Sequence, residues 1–491
     1  MEYFGVSRLQ MMETAGRQVA DVVDARVQTP SQIVIFTGPG GNGGDGMVAA
    51  RYLATYGHQV TLLLVARPEQ IRRAEVMANW HAVCEMPDSI QRSIITDSSQ
   101  LSSMPADVVI DALLGIGIQG PPRPPILHAI QTMNAMTGWK VAIDVPSGVN
   151  ADTGAIVSTA VTADLTITFH KPKIGLVQTP EMVGELIVTR MGFSQEAQRY
   201  IGPGDVLLAQ TPRAATAHKG DFGRLLIIGG SNIFSGAPAL AGLAALRVGV
   251  DLAYIAAPWR TAHDIAAMSS SFITIKLPGT HLTTKGIPAL MPFINRATAV
   301  VMGPGLGLHT ETYIAVEKLM KAFDNASLPV LLDADGLKAF ARFKYARAAP
   351  LVLTPHAGEY AILTDSSLSN NMAEQIDEVK TTAHTLGATL LLKGPTDIVT
   401  DGTHVKLNPD IHNPGMTVGG TGDVLSGIVG ALLAQGIAPF QAATAGTFIN
   451  GAAGDFAVDE RGYHILPSDL IEYIPLVMDD PMSHREVRKR K

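Results

Sequence analysis

Residues 413–427 read Asn-Pro-Gly-Met-Thr-Val-Gly-Gly-Thr-Gly-Asp-Val-Leu-Ser-Gly, with an apolar run at helical spacing after them. A glycine-rich turn that opens a helix leaves unpaired N–H groups at the positive end of the helix dipole, where an anion binds favourably. Asp423 adds a carboxylate in the first turn of that helix. The stretch therefore predicts a phosphate site beside a general base, as phosphoryl transfer to a hydroxyl requires. A helix that is merely capped at its N-terminus is the alternative interpretation.

The composition describes a large globular chain. Its 491 residues predict two or three domains, and the net charge of −7 argues against nucleic acid as a partner. Cys84 is the only cysteine, which excludes an intramolecular disulfide and favours the cytoplasm. The most apolar stretch, 225–258, is interrupted by glycine pairs, Asn232 and Arg247, so we expect no membrane span. The first residues lack the pattern of a secretory signal.

The first half has the pattern of a dinucleotide-binding fold. Its predicted elements are helix 1–28, strand 33–37, glycine-rich loop 38–46, helix 47–56 and strand 59–65. Gly38, Gly40 and Gly43 match the fingerprint spacing of such loops. The acidic residue that usually binds the ribose is missing, because Ala66 and Arg67 follow the second strand. The pattern therefore does not require a nicotinamide cofactor bound as in ordinary dehydrogenases.

Polar side chains follow several predicted strands of this half. Asn42 lies in the first loop, Asp111 ends a strand at 107–111, and Asp144 and Ser147 follow a strand at 141–144. Because the carboxyl ends of parallel strands meet at one edge of a sheet, we expect these side chains to converge there. Lys173 follows the next strand and reaches the same rim. The alternative is that each polar residue caps its own loop and the lysine is merely solvated.

The first half resembles the NAD(P)H-hydrate epimerase family through its 38–46 loop, Asp111 with the 115–120 loop, Asp144-Val-Pro-Ser-Gly and Lys173-Ile-Gly. Gly41 replaces an asparagine of the family loop. The resemblance implies Asp144 and Lys173 as catalytic residues. It implies a potassium ion bound by Asn42, Asp111 and Ser147. It implies that hydrated NAD(P)H binds Gly41, Asn42, Gly43, Gly44, Asp45, Gly115, Ile116, Gly117, Ile118, Gln119, Gly120 and Asp144.

The second half repeats a unit of strand followed by a glycine- or aspartate-containing loop, which predicts a largely parallel sheet with one ligand edge. Glycine and proline interrupt the pattern before it, and we place the domain boundary near Gly204, giving domains 1–203 and 204–491. No Gly-x-x-x-x-Gly-Lys-Ser/Thr sequence occurs, so the site is not a P-loop. The predicted strands are 224–228, 299–302, 330–332, 351–353 and 389–392, followed by a hairpin over 398–407.

This half resembles the ribokinase-like superfamily, and within it the ADP-dependent NAD(P)H-hydrate dehydratases, through Ser235-Gly-Ala-Pro, Gly303-Pro-Gly-Leu-Gly, Thr354-Pro-His-Ala-Gly-Glu, Lys393-Gly and Gly419-Gly-Thr-Gly-Asp. Together the halves resemble the bifunctional NAD(P)H-hydrate repair family. The resemblance implies a Rossmann-like three-layer α/β domain followed by a ribokinase-like α/β domain.

The resemblance also implies the chemistry of the second half. Asp423 takes the proton of the hydroxyl on a hydrated nicotinamide ring, ADP is the co-substrate, and Mg²⁺ neutralises the phosphates. The implied dinucleotide-binding residues are Ala237, Gly305, Gly307, His356 and Asp423. The implied nucleotide-binding residues are Lys393, Gly394, Pro395, Thr396, Asp397, Gly420, Thr421 and Gly422.

Hydrated NADH or NADPH and ADP are the expected partners, without nucleic acid or membrane, and we expect a cytoplasmic homo-oligomer. One alternative is a small-molecule kinase of the ribokinase superfamily. In that alternative the first half is a non-catalytic binding module, which the change at Gly41 mildly favours and the presence of Asp144 and Lys173 opposes.

Overall fold

The structure, a computed structural model, describes residues 1–117, 120–345, 347–409 and 413–488. The chain divides into two compact units, Met1–Ala197 and Gln198–Lys491. Gly204, the predicted boundary, lies inside the second unit, because Ile201 already donates its N–H to the carbonyl of Leu407 at 2.7 Å. That each unit functions alone stays a prediction. In the described part of the chain, no helix combines the length and the apolar character needed to cross a bilayer.

The first unit is a three-layer domain built on a parallel sheet. Its elements are α1 (Arg8–Asp24), β1 (Gln32–Thr37), α2 (Gly41–Thr55), β2 (Gln59–Leu64), α3 (Ala74–Cys84), β3 (Ile90–Ile94), β4 (Val108–Ala112), α4 (Ile126–Ala135), β5 (Trp139–Ile143), β6 (Leu165–Phe169), α5 (Ile174–Gln178), α6 (Pro180–Val183), β7 (Glu185–Thr189) and α7 (Gln195–Arg199). Among the described residues the strand order is β3-β2-β1-β4-β5-β6-β7. Ile33 and Ile35 belong to a core on one face, while Val34 and Phe36 belong to a core on the other. Helices therefore cover both faces, and the predicted Rossmann-like domain is confirmed.

The glycine-rich segment after β1 is helical, which differs from the predicted loop over 38–46. Helix α2 begins at Gly41, although its glycines weaken a helix by roughly 1 kcal/mol each relative to alanine. Close packing requires them: a Cβ on Gly43 would overlap the carbonyl of Gly38, and one on Gly46 would lie 2.5 Å from Cβ of Ala112. The glycines therefore let the start of α2 approach β1 and β4.

The second unit contains a mostly parallel sheet. Its elements are α8 (Pro203–Leu208), β8 (Arg224–Ile228), α9 (Gly236–Val248), β9 (Leu252–Pro258), α10 (Trp259–Met268), β10 (Ile273–Leu277), α11 (Ile287–Ile294), β11 (Ala299–Met302), α12 (Thr310–Asn325), β12 (Val330–Leu332), α13 (Asp335–Phe340), β13 (Leu351–Leu353), α14 (Ala357–Thr364), α15 (Met372–Leu386), β14 (Thr389–Leu392), β15 (Asp397–Thr400), β16 (Val405–Asn408), α16 (Thr421–Ala434), α17 (Pro439–Arg461), α18 (Pro467–Asp479) and α19 (His484–Arg488). The described strands run in the order β10-β9-β8-β11-β12-β13-β14-β15-β16, parallel as far as β14. The antiparallel β15–β16 hairpin confirms the predicted one.

Helix α16 lies close to both the sheet and α9. A Cβ on Gly427 would overlap the carbonyl of Ala241 in α9, and one on Gly430 would overlap the side chain of Val301 in β11. Small residues are therefore needed where these elements touch. This packing brings the first turn of α16 to the carboxyl ends of the parallel strands, where the polar loops of this unit also lie.

Candidate active sites

Asp111 and Ser147 form a buried polar cluster at the carboxyl edge of the first sheet. Ser147 Oγ donates to Asp111 Oδ1 at 2.6 Å, and the Ser147 N–H donates to Oδ2 at 2.7 Å. The N–H of Leu114 donates to Ser147 Oγ at 2.9 Å, and Asn42 Nδ2 donates to the Leu114 carbonyl at 2.8 Å. The structure thus brings together the three predicted potassium ligands: Ser147 contacts Asp111 directly, and the backbone of Leu114 connects Ser147 to Asn42.

The cluster has an acceptor without a partner. Asn42 Oδ1 is buried and accepts no hydrogen bond from the described residues, a situation that costs about 1–3 kcal/mol. Burial raises the pKa of Asp111 to about 6, although hydrogen bonds from Ser147 oppose the shift. One amide, one carboxylate and one hydroxyl are hard oxygen donors of low total charge. This donor set fits the implied monovalent cation.

Asp144 and Lys173 form an ion pair at the same edge. Lys173 Nζ also donates to Thr168 Oγ1 at 2.8 Å and to the Phe169 carbonyl at 3.1 Å, so the ammonium is held in place on β6. Asp144 has φ 63°, in the left-handed region that few residues with a Cβ adopt. Such strained positions cluster at functional sites, where the surrounding structure maintains them.

A cavity of about 670 Å³ opens beside these groups. Predicted residues that line it are Gly41, Asn42, Asp45, Gly115, Ile116, Gly117, Gly120 and Asp144. Gly43 and Gly44 are not among its lining residues, because Gly43 packs against Gly38 and Gly44 against Met12. Predicted residues Ile118 and Gln119 lie outside the described residues. Burial and the charge of Asp144 raise the pKa of Asp45 well above its usual range, and Arg73 partly offsets this.

Arg73 is a lining residue that sequence reasoning missed. It precedes α3 and is exposed, and its Nη1 would lie 3.1 Å from a Cβ on Gly41. The missing side chain at Gly41 therefore leaves room for the guanidinium at the start of α2. A cation beside a helix N-terminus is suited to a phosphate.

A cavity of about 790 Å³ lies at the start of α16 in the second unit. Gly420 has φ 108°, which allows the sharp turn into the helix. The predicted nucleotide-binding residues that line the cavity are Lys393, Gly394, Pro395, Asp397, Gly420, Thr421 and Gly422; Thr396 is not among them. His356 also lines it, whereas Asp423 does not. The loop residues Gly394 and Asp397 are joined by a 3.1 Å hydrogen bond from N–H to carboxylate.

Asp423 is partly buried, and it lies near one negatively charged group, Asp333, and one positively charged group, Lys393. Burial and the charge of Asp333 raise its pKa to about 7, and Lys393 opposes the rise. At neutral pH a large fraction of Asp423 is therefore ionised and still basic enough to accept a proton from a hydroxyl. Lys393 Nζ would lie 3.6 Å from a Cβ on Gly422, so the ammonium is close to the predicted phosphate-binding turn.

His356 caps α14 in a defined orientation. Its Nδ1 accepts the N–H of Gly358 at 3.0 Å, and Glu359 accepts the His356 N–H at 3.1 Å. The imidazole must therefore carry its proton on Nε2 when neutral, and the side chain is 59% exposed. This nitrogen lies 3.5 Å from Glu359 Oε1, and its exposure leaves it accessible to a ligand carbonyl or phosphate.

The remaining predicted dinucleotide-binding residues form a second group around β8 and β11. A Cβ on Gly305 would lie 3.6 Å from Cβ of Ala237, and Gly307 donates its N–H to Asp335 at 2.9 Å. Both glycines have positive φ, 67° and 80°, which accounts for glycine at these turns. Asp335, which holds Gly307 in place, is another residue to which the sequence assigned no role.

Fold and site geometry together define a two-domain α/β enzyme whose second domain has a glycine-rich helix start suited to an anion, with a carboxylate next to it. Residues 225–476 match the family model described as NAD(P)H-hydrate dehydratase, and residues 8–175 match the one described as YjeF-related protein N-terminus. A ribokinase-like superfamily protein of Enterococcus faecalis is 22% identical with a TM-score of 0.50, covering 57% of this chain and 95% of its own. This likeness shows the fold of the second unit.

Two curated relatives extend over nearly the whole chain. The bifunctional NAD(P)H-hydrate repair enzyme Nnr of Hyperthermus butylicus is 43% identical, covering 98% of this chain and 90% of that protein. The enzyme of the same name from Methanothermobacter thermautotrophicus is 39% identical, covering 97% and 93%. The chain belongs to the family of bifunctional NAD(P)H-hydrate repair enzymes.

Proposed function

We propose that this protein repairs hydrated NADH and NADPH. The first unit interconverts the R and S forms at ring carbon 6, and the second dehydrates the S form at the expense of ADP, giving AMP and phosphate. The observation that carries the proposal is Asp423, a carboxylate with a pKa of about 7 in the first turn of α16, directly after the glycine-rich turn proposed to bind phosphate. The relatives named above support the pairing of both activities in one chain.

Dehydration requires a better leaving group than hydroxide. Asp423 takes the proton of the ring hydroxyl while that oxygen attacks the terminal phosphorus of ADP, and AMP departs. N–H groups of Gly420–Gly422 and the ammonium of Lys393 stabilise the charge on the phosphoryl group. Phosphate then leaves carbon 6 and a proton leaves carbon 5, which restores the ring double bond. Mg²⁺ bound to the nucleotide would neutralise the charge of its phosphates.

Epimerisation requires a group that both accepts and returns a proton near carbon 6. The Asp144–Lys173 pair provides an acceptor and a donor in contact, and Asp45, whose raised pKa favours its neutral form, provides a second donor in the same cavity. Asn42, Asp111 and Ser147 would hold K⁺. When bound, K⁺ supplies positive charge that holds the loops and the dinucleotide phosphates together.

The test is to incubate the purified chain with a mixture of R and S hydrated NADH and with ADP, following the absorbance of reduced nicotinamide. We expect complete recovery, with AMP and phosphate formed in equal amounts to NADH. Asp423→Ala should abolish recovery while chromatography still detects interconversion of the epimers. A stable phosphorylated product that accumulates without NADH would instead identify a small-molecule kinase.

We further propose that the two units act independently. A chain beginning at Gln198, where the second unit begins, should dehydrate the S form and leave the R form. An unfolded fragment by circular dichroism would contradict independence. The homo-oligomeric state and the cytoplasmic location stay predictions, and sedimentation velocity of the full chain tests the first.

A further inference from the structure

We propose that Asp333 is a positioning residue of the dehydratase site: its buried carboxylate holds Lys393 and, through Ser426, the helix that carries Asp423, and its charge keeps Lys393 from neutralising that base. The inference rests on the proposed function for its catalytic meaning. Nothing in the sequence motifs or the matched families described above assigns a role to this residue.

The contacts of Asp333 account for both of its oxygens. Oδ1 accepts from Lys393 Nζ at 2.8 Å and from Thr354 Oγ1 at 2.9 Å, and Oδ2 accepts from Ser426 Oγ at 2.6 Å. Asp333 is only 2% exposed. Ser426 lies three residues after Asp423 on α16, so it faces the same side of the helix one turn later. One carboxylate therefore joins the end of β12, the end of β13, the end of β14 and the helix of the base.

The turn that carries Asp333 also reaches the dinucleotide side of the site. Ala334 has φ 48°, a strained value for a residue with a Cβ. The turn presents Asp333 to Lys393 and, two residues later, Asp335 to the N–H of Gly307 at 2.9 Å. Gly303 is required beside it, because a Cβ there would overlap the Asp333 carbonyl. The segment thus connects the nucleotide-binding and dinucleotide-binding loops.

The titratable groups around Lys393 and Asp423 come from several elements. Asp333 follows β12, Lys393 follows β14, and Glu359 and His356 lie at the start of α14, with Glu359 3.9 Å from Lys393 Nζ. Burial would lower the pKa of Lys393, but Asp333 and Glu359 raise it above its usual value, so the lysine stays charged. Without Asp333, this ammonium would have Asp423 and Glu359 as its carboxylate neighbours and would stabilise the ionised form of Asp423.

The experiment is the pH dependence of kcat for S-hydrated NADH at saturating ADP, in the full chain. Asp333→Asn keeps the size of the side chain and removes its charge. The acid limb of the kcat–pH profile of Asp333→Asn should move to lower pH by about one unit, as expected when a neighbouring charge changes. The maximal kcat of this variant should also fall. Lys393→Met should move the limb to higher pH. Asp205→Asn is the matched control, because it breaks another buried aspartate–lysine pair of this unit, with Lys406, and should leave the limb in place.

A second readout does not depend on activity. The Asp423 carboxyl is titrated by ¹³C NMR of aspartate-labelled protein and assigned with Asp423→Asn. The pKa of Asp423 measured in this way should be lower in Asp333→Asn by the same amount as the acid limb moves. If that variant does not fold, Lys393→Met carries the test. An unshifted titration in the folded variants overturns the inference, even if kcat falls. If the titrations behave as expected but the wild-type protein never restores NADH, the proposed function is refuted, while the effect of Asp333 on Lys393 and Asp423 still stands.

Discussion

Replacing Asp423 by asparagine should remove dehydratase activity and, at the same time, stabilise the second unit. The substitution keeps the shape of the side chain and removes a charge that burial disfavours. In the wild type, folding raises the pKa of Asp423 from the usual 3.8 to about 7. This shift corresponds to a free-energy difference of about 4 kcal/mol between the two protonation states. The folded state therefore binds this proton more tightly than the unfolded chain does.

The sign of the stability effect follows from that difference. Above pH 7 both states are ionised, and the folded state carries the full cost; below pH 4 both are protonated, and the cost disappears. The free energy of unfolding of Asp423→Asn should therefore exceed that of the wild type by up to about 4 kcal/mol at pH 8, and by much less at pH 5. Loss of the base should lower kcat by about 10²–10⁴-fold.

Urea-dependent hydrogen exchange read by mass spectrometry measures the second unit separately from the first. Asp251→Asn is the control of opposite sign. Burial disfavours its charge, but N–H groups of Phe222 and Gly220 and the nearby Arg213 lower its pKa. Removing this carboxylate should destabilise the unit at pH 8, and the effect should fade as pH falls. If the Asp423→Asn variant is no more stable at pH 8 than the wild type, the ionised form of Asp423 is not destabilised by burial, and the reasoning is refuted.

Three further predictions concern the first unit. Asp144→Asn should abolish epimerisation with the melting temperature nearly unchanged, so that only the S half of a mixed substrate is recovered with ADP; full recovery at the normal rate would contradict its role. The wild type should be thermally more stable in K⁺ than in tetramethylammonium, and Asn42→Ala should remove this difference. Rubidium-soaked crystals of the wild type should show anomalous density beside Asp111. Equal stability of the wild type in both salts would exclude the cation site. Arg73→Ala should raise the KM for hydrated NADH about tenfold, with Arg73→Lys closer to wild type; an unchanged KM would remove Arg73 from phosphate recognition.

Much of the first site was predictable because parallel strands obey a strict geometric rule. Their carboxyl ends meet at one edge, so Asp111, Asp144 and Ser147 converge as soon as β4 and β5 are recognised as parallel neighbours. The helical start at Gly41 was not predictable from the same pattern. Glycine runs normally indicate loops, and the close approaches of Gly43 to Gly38 and of Gly46 to Ala112 explain why a helix uses them here.

The residues that sequence reasoning missed act through long-range contacts. Arg73 reaches the cavity from the start of α3 because Gly41 lacks a side chain, and nothing local to Arg73 indicates this. Asp333 did have a signal, since it follows a buried strand just as Asp144 follows β5. Its role still depends on Lys393 and Ser426, which are 60 and 93 residues away in the sequence. Lys393 was predicted only as a nucleotide-binding residue, not as a partner of Asp333.

The two sites use an aspartate and a lysine in different arrangements, and the difference suits the two reactions. In the first unit Lys173 contacts Asp144 directly, so the pair can donate and accept a proton at one place. Epimerisation causes no net gain or loss of protons. A carboxylate and an ammonium that can exchange a proton in both directions meet that need. In the second unit Lys393 binds Asp333 instead, and Asp423 keeps a pKa of about 7. In the proposed mechanism, phosphorylation of the ring hydroxyl removes one proton permanently, so that reaction needs a base whose basicity is not cancelled by its neighbouring ammonium.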